Sequence, residues 1–137
     1  MDAFDADVLI YAALRGHRLG RRVRALFDER PTVGVGSVLL LPEVLTKPRR
    51  ERAHEELAEL GALLGRLQLW PVDLVTAELA VALGSSYGLR AAEAVHLATA
   101  VASGADRFIT NNKADFPASI SEVDVIYPED LPEHMFG

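Results

Sequence analysis

The sequence contains no cysteine, and among its 137 residues it has only two methionines and one tryptophan. Without cysteine the chain forms no disulfide, offers no thiolate ligand to zinc and has no thiol nucleophile. It also lacks an apolar run approaching the roughly 20 residues that cross a bilayer. Aspartates stand near the N-terminus, where a signal peptide is uncharged or basic. These absences predict a cytoplasmic protein without a membrane span.

Half of the residues are hydrophobic and the mean hydropathy is +0.14, which argues against disorder. A chain of this length forms one domain of ordinary size with a substantial core. The sequence shows no linker, no low-complexity segment and no internal repeat. We therefore predict a single domain that spans residues 1–137.

Charge is distributed unevenly along the chain, whose net charge is −6. Residues 1–52 hold ten Lys and Arg against seven Asp and Glu, whereas the remainder holds four against thirteen. The basic residues form two clusters, which are Arg15, His17, Arg18, Arg21, Arg22 and Arg24, and Lys47, Arg49, Arg50 and Arg52. A solvated helix face accounts for each cluster, and the alternative is a surface that faces phosphate groups.

Short apolar runs alternate with segments of helical periodicity. Strands are predicted at 2–6, 32–36, 67–72, 107–110 and 123–127. Helices are predicted from about Asp7, at 18–30, from Ser37 to Lys47, at 53–67, from Asp73 to near Gly84 or Gly88, and at 90–103. Strands that alternate with helices of this length pair in parallel. The pattern therefore predicts an α/β fold, an α/β/α sandwich around a mostly parallel sheet.

Several helix ends have residues that favour a boundary. Ser37 and Asp73 are predicted N-caps, because their side-chain oxygens accept hydrogen bonds from the first free amides of a helix. Pro48 helps to stop the helix that Ser37 opens. Gly104 stands at the predicted C-cap of the helix 90–103.

Acidic and amide side chains follow several of the predicted strands. They are Asp5 and Asp7 at the end of the first strand, Glu43 in the helix after the second, Glu93 in the first turn of a later helix, and Asn112 and Asp115 after the strand that ends at Thr110. In a parallel sheet, functional groups gather beyond the carboxyl ends of the strands. Oxygen-only ligand sets suit Mg²⁺ or Mn²⁺ rather than zinc. Because clustered carboxylates are costly to bury, the pattern predicts a bound cation or raised pKa values.

Each of these residues also has an ordinary structural interpretation. Asp7 suits a helix N-cap, Glu93 suits the positive end of a helix dipole, and Asn112 and Asp115 suit a turn. Glu43 is harder to explain, because it interrupts the apolar stretch "VLLLPEVL". The coincidence of these segments at one sheet edge favours the metal site.

Three stretches resemble the motifs of PIN-domain nucleases. "FDADVLIYA" resembles their opening strand with Asp-x-Asp, and "SVLLLPEVL" resembles their Ser followed six residues later by Glu. "LRAAEAVHLATAVASGADRFITNNKADF" resembles their acid-bearing helix and the strand that ends in Thr-Asn-Asn. The resemblance covers residues 4–116 and implies a single PIN-like domain. The size and layout resemble the VapC-type toxins of prokaryotic toxin–antitoxin pairs.

The resemblance implies a Mg²⁺- or Mn²⁺-dependent endoribonuclease that hydrolyses RNA phosphodiester bonds, with a cognate antitoxin as partner and a homodimeric state. Asp5, Glu43 and Glu93 match the acidic triad of the family, and Asn112 and Asp115 match its variable fourth position. On this basis Asp5, Glu43, Glu93 and Asp115 are candidate catalytic residues, and together with Asn112 they are the candidate metal ligands. The candidate RNA contacts are Arg15, Arg18, Arg22, Arg49 and Arg50.

Two departures from the family pattern leave an alternative open. Glu93 stands where Asp is usual, and Asn112 stands where many members have Asp. A PIN-like module that binds RNA or a protein partner, and cuts weakly or not at all, is therefore the alternative function. Affinity for Mn²⁺ distinguishes the two functions, because a nuclease needs to bind the metal and a binding module does not.

Other enzyme classes fit the residues less well. Asp-x-Asp also opens haloacid-dehalogenase-type phosphatases, but Val8 and Leu9 stand where Gly-Thr is usual. Receiver domains share the α/β layout, but the sequence gives that interpretation only weak support. Glu93 and His96 form one Glu-x-x-His motif, whereas di-iron bundles need two. His96 is accordingly predicted to be a packed helix residue.

Overall fold

Five short strands form the central sheet in the computed structural model, which describes residues 1–28 and 34–132. The strands are β1 (Asp2–Phe4), β2 (Gly34–Ser37), β3 (Leu67–Trp70), β4 (Arg107–Ile109) and β5 (Asp124–Ile126). They lie in the order β3-β2-β1-β4-β5, and every pair is parallel. In the central strand, Ala3 stands opposite Val35 on one side and Phe108 on the other. The predicted parallel sheet is confirmed.

Helices cover both faces of the sheet. They are α1 (Ala6–Ala13), α2 (Arg18–Asp28), α3 (Leu40–Arg50), α4 (His54–Leu64), α5 (Leu74–Tyr87) and α6 (Ala91–Ala102), followed by a 3₁₀ turn at Pro128–Asp130. Successive residues of a strand point to opposite faces. Phe4 thus packs into a core with α1 to α4, and Ala3 packs into a second core with α5 and α6. The α/β/α layering follows from these two cores.

The first two helices meet at a glycine. A Cβ atom at Gly20 of α2 would lie 1.9 Å from the carbonyl oxygen of Tyr11 in α1, so only glycine permits this separation. The rings of Tyr11 and His17 stack nearby, with centroids 4.4 Å apart. The backbone of α1 is therefore held directly against α2.

The prediction that Ser37 caps α3 is wrong. Ser37 is the last residue of β2, where it pairs with Trp70, and the amide of Val38 still donates to the Trp70 carbonyl at 2.9 Å. Sheet pairing therefore continues past Ser37, and α3 begins only at Leu40, without a side-chain cap. The Ser37 hydroxyl instead accepts a hydrogen bond from the amide of Leu39 at 3.1 Å.

The prediction that Pro48 stops this helix is also wrong, since α3 runs through Pro48 to Arg50, whereas other boundaries agree more closely with the sequence. Asp73 caps α5, accepting from the amide of Thr76 at 2.9 Å, and Gly88 ends that helix with a φ of +67°. Gly104 follows α6 with a φ of +73°. The predicted helix 53–67 ends at Leu64, because Leu67 already belongs to β3.

Two of the predicted segments reach beyond the described residues. Arg30, at the end of one predicted helix, and Thr32, at the start of one predicted strand, lie outside them. Across the part of the chain that the structure describes, no helix has the length and apolar character needed to traverse a membrane.

Candidate functional site

A cleft of about 490 Å³ opens at the carboxyl edge of the sheet. From β1 the chain crosses to β2 and β3 on one side and later returns to β4 on the other, so the cleft lies where the strand order reverses. Its lining residues are Asp5, Ala6, Asp7, Glu43, Arg90, Ala92, Glu93, His96 and Asn112. Segments distant in sequence thus contribute to one concave surface.

Asp5 is the most deeply buried acid of the cleft, with 7% of its surface exposed. It immediately follows β1 and is the N-cap of α1, accepting from the amide of Ala6 at 2.9 Å. Its second oxygen accepts from the hydroxyl of Thr110 at 2.8 Å. Burial raises the pKa of Asp5, and the nearby His96 and the two hydrogen bonds oppose that rise. The cap of α1 is therefore Asp5, whereas the sequence suggested Asp7 for that role.

Asp7 lies in the first turn of α1 and lines the same cleft. Its two oxygens accept from the amides of Val8 at 2.7 Å and Asn111 at 3.1 Å, so it joins the start of α1 to the segment after β4. Burial, with a further contribution from the charge of Asp5, raises the pKa of Asp7 to about 6. Two neighbouring carboxylates with raised pKa values favour the approach of a positive charge.

Glu43 and His96 meet across the cleft floor. Glu43 projects from α3 with 32% of its side chain exposed, whereas the His96 side chain in α6 is only 2% exposed. The His96 Nε2 and Glu43 Oε1 atoms are 2.9 Å apart. The prediction that His96 is packed inside the protein is correct, but no feature of the sequence indicated its contact with Glu43.

Glu93 lies half-buried at the start of α6, with 15% of its side chain exposed. Arg90 donates from Nε to Glu93 Oε1 at 2.7 Å, and its own side chain is 85% exposed. Burial raises the pKa of Glu93, and so does the hydrogen bond that its protonated form gives to Asp115. The same hydrogen bond, together with one from Asn112, lowers the pKa of Asp115. The two carboxylates therefore stand close enough to share one proton.

Asn112 forms a turn with Asp115 beyond β4. Its Nδ2 donates to Asp115 Oδ2 at 2.8 Å, and the amide of Asp115 donates to Asn112 Oδ1 at 3.2 Å. The amide of Asn112 in turn donates to the hydroxyl of Thr110 at 3.1 Å. Asn112 lines the cleft. Asp115 does not line it, but contacts two residues that do, Asn112 and Glu93.

The donor set of this cleft suits a hard divalent cation. Within residues 1–28 and 34–132, no three His, Asp or Glu side chains stand close enough together to form a metal cage. Mg²⁺ does not need such a cage, because it binds through one or two carboxylates and keeps several waters. Asp5, Asp7 and Glu43 supply carboxylate oxygens. Burial raises the pKa of the two aspartates because it disfavours their charged forms, and a bound cation offsets that cost. The residues therefore fit a Mg²⁺ or Mn²⁺ ion.

The predicted basic residues lie elsewhere on the molecule. Arg15 pairs with Glu59 at 3.1 Å, and Arg22 donates to the backbone carbonyls of Glu129 and Leu131 at 3.1 and 2.7 Å. Arg18, Arg49 and Arg50 are exposed. The arginine that lines the cleft is Arg90, which sequence reasoning missed. Its position three residues before Glu93 in a helix was the available signal.

Comparison with known proteins agrees with this geometry. The sequence profile of the PIN domain matches residues 3–118. A toxin–antitoxin complex from Klebsiella pneumoniae contains a chain with a TM-score of 0.73 and 26% identity, covering 93% of this chain and 98% of its own. None of the curated proteins matches the sequence significantly.

Two further solved structures share the fold at lower identity. DNA-bound VapBC from Salmonella typhimurium has a TM-score of 0.73 and 16% identity, covering 93% of this chain and 97% of its own. Mycobacterium tuberculosis VapC20, a toxin that cleaves the sarcin–ricin loop, has a TM-score of 0.65 and 17% identity, covering 90% and 99%.

Proposed function

The chain belongs to the PIN domain family, and from that premise we propose that it is a metal-dependent endoribonuclease and the toxin of a toxin–antitoxin pair. One observation carries the proposal. Buried Asp5 and partly exposed Glu43 line one cleft at the sheet edge, together with Glu93 and Asn112 from two further segments. The similarity to chains from toxin–antitoxin complexes supports the same assignment. We further propose that residues 1–137 form one PIN-like domain, which acts in the cytoplasm.

The roles of the acids follow from their surroundings. We assign catalysis to Asp5, Glu43, Glu93 and Asp115. Asp5 and Glu43 would bind the metal directly, and Glu93, Asn112 and Asp115 would bind it through the waters it keeps. When bound, Mg²⁺ or Mn²⁺ acidifies a water molecule and stabilises charge on the phosphate oxygens. Asp5 is fixed from two sides by Ala6 and Thr110, so its position is set before any ligand arrives.

Positive charge near the cleft suits an RNA substrate. The guanidinium of Arg90 is largely exposed at the cleft and faces the phosphate backbone in the proposed complex. Arg15, Arg18, Arg22, Arg49 and Arg50 are proposed to contact RNA further out. Because each phosphate contact releases counterions, RNA affinity falls as salt rises.

Two proteins are the proposed partners, a cognate antitoxin and a second copy of this chain. The similar chains in toxin–antitoxin complexes support the antitoxin. Leu74, Val75 and Val81 of α5 support the homodimer, because each exposes more than 70% of its surface to solvent. Exposed apolar side chains concentrated on one element mark an interaction surface.

Cleavage assays test the nuclease directly. A mixed pool of structured RNAs is incubated with the wild type or Asp5→Asn in Mn²⁺, Mg²⁺ or EDTA. We expect metal-dependent cleavage by the wild type and none by the variant, which keeps the capping oxygen of Asp5 and remains folded. Unfolding of Asp5→Asn would assign Asp5 a structural role instead.

A second candidate function is a PIN-like module that binds RNA or a protein without cutting it. The engagement of Glu93 by both Arg90 and Asp115 favours it, because a carboxylate with these partners is less available to a cation. Titration with Mn²⁺ separates the two functions. A nuclease binds Mn²⁺ and loses affinity on Asp5→Asn, whereas the module shows no metal binding in either protein.

A further inference from the structure

We infer that His96 is a positioning residue that holds the carboxylate of Glu43 in its working orientation. The inference rests on the proposed function, since it assigns a role toward the metal-binding acid Glu43. The carboxylate bonds to the ring through Oε1, and its other oxygen, Oε2, takes no part in that contact. Hydrogen-bond partners of ligating carboxylates fix their orientation and tune their affinity for a metal.

The contrast in exposure between the two side chains supports this role. Glu43 has 32% of its side chain exposed, so an unsupported glutamate here would sample several rotamers. The His96 ring is 2% exposed and therefore cannot move freely. A rigid donor beneath a mobile carboxylate removes much of that freedom before a ligand binds.

The Glu43 contact occupies one of the two ring nitrogens. Where the carboxylate carries no proton, it accepts the hydrogen bond from His96 Nε2. The other ring nitrogen, Nδ1, is buried and has no hydrogen-bond partner among residues 1–28 and 34–132. Glu43 is therefore the hydrogen-bond partner that the ring has among the described residues.

The unpaired nitrogen is evidence that the histidine serves more than packing. A buried polar atom without a partner costs free energy that an aliphatic side chain at the same place avoids. His96 lies between Val95 and Leu97 in a helix whose other buried positions are mostly alanine and leucine. The contact with Glu43 is what an aliphatic residue cannot provide.

Three substitutions separate positioning from packing. His96→Gln places its amide nitrogen near the position of Nε2 and keeps the donor. His96→Asn places its amide nitrogen near Nδ1 instead and loses the contact, and His96→Leu removes both nitrogens while filling the space. Glu43→Gln, alone and combined with His96→Leu, shows whether the two residues act through one contact. Calorimetric titration of the metal-free proteins with Mn²⁺ and thermal unfolding in EDTA are the two readouts.

We expect His96→Leu and His96→Asn to weaken Mn²⁺ binding about 10- to 100-fold. His96→Gln should stay within about threefold of the wild type, and His96→Leu should add little loss to Glu43→Gln, because the two residues act through one contact. If His96→Leu does not fold, the comparison of His96→Gln with His96→Asn carries the test.

The outcomes also separate this inference from the proposed function. Equal Mn²⁺ affinity for the wild type, His96→Leu and His96→Asn, with changes in unfolding temperature only, would make His96 a packing residue while leaving the nuclease intact. A wild type that binds no Mn²⁺ and cuts no RNA would overturn the proposed function, and the role of His96 would fall with it.

Discussion

Thr110 donates its hydroxyl proton to Asp5 across the ends of two neighbouring strands, and the bond of 2.8 Å is buried. The same hydroxyl oxygen accepts from the amide of Asn112 at 3.1 Å. One side chain therefore connects the buried acid of the cleft to the turn that carries Asn112 and Asp115. Removal of the Thr110 hydroxyl should therefore loosen both Asp5 and the turn that carries Asn112.

Thr110→Val tests that connection, because valine has the same shape without the hydroxyl. The change leaves an oxygen of Asp5 and the amide of Asn112 without their partner, so we expect a loss of about 1–3 kcal/mol in the free energy of unfolding. Urea denaturation measures it, with Thr110→Ser as the control that keeps the hydroxyl. Equal stability of the two variants would mean that water replaces the bond without cost.

The raised pKa of Asp7 predicts a pH-dependent stability. Its pKa is about 6 in the folded protein against an ordinary value of 3.8, so the folded state binds the proton more tightly than the unfolded state does. The favourable contribution is complete below the unfolded pKa and is lost as the pH rises through about 6. Asp7→Asn should therefore be more stable than the wild type at pH 8, on the order of 1–3 kcal/mol.

Unfolding in urea and EDTA, repeated from pH 4 to pH 8, measures this difference. The gain from Asp7→Asn should shrink toward pH 4, where Asp7 is protonated in the wild type. A gain that is the same at every pH would mean that it has no connection with the ionisation of Asp7.

Gly20→Ala tests the close approach of α1 and α2. The new Cβ atom would meet the Tyr11 carbonyl oxygen at 1.9 Å, so the helices must separate, and we expect a loss of at least about 2 kcal/mol. Gly61→Ala in α4 is the matched control, because a Cβ atom added there would have no neighbouring atom within 4 Å. That control should gain about 0.5–1 kcal/mol through helix propensity. Similar stabilities for the two variants would contradict the packing described for Gly20.

Val81→Glu tests the homodimer. Val81 is 73% exposed on α5, and a charge there would be buried without a partner if α5 lies in the interface. Light scattering coupled to size-exclusion chromatography should give a dimer for the wild type and a monomer for the variant. Leu14→Glu, at a residue that is 45% exposed beyond α1, should remain dimeric. A dimeric Val81→Glu would move the interface away from this residue.

Much of the fold is readable from local signals in the sequence. Asp73 and Gly88 bound α5 as their capping preferences predict, since each acts on the backbone within a few residues. The prediction for Ser37 was wrong because its role depends on pairing with Trp70. That residue lies 33 positions later, so the local sequence around Ser37 does not indicate the pairing. Leu67 was assigned to the preceding helix because it continues the helical spacing of apolar residues. It belongs to β3, and a buried strand requires apolar residues as well.

The sequence predicted which edge of the sheet carries the candidate site, but not the contacts among its residues. Parallel strands bring their carboxyl ends to one edge, so Asp5 and Asn112 were expected near each other from the order of elements alone. The pairing of His96 with Glu43 depends on how α6 and α3 cross, which no spacing in the sequence records. Arg90 was overlooked because a lone arginine at a helix start has many solvent-facing roles.

The position of β1 in the sheet has a consequence for the order in which the molecule can assemble during synthesis. β1 is translated first, yet one of its two neighbours, β4, begins only at Arg107, and the hydroxyl that fixes Asp5 arrives at Thr110. Contacts that span most of a chain form late, because their loops must close first. A nascent chain that has not yet reached Arg107 therefore contains Asp5 but neither the strand that completes the cleft nor the hydroxyl that fixes this acid.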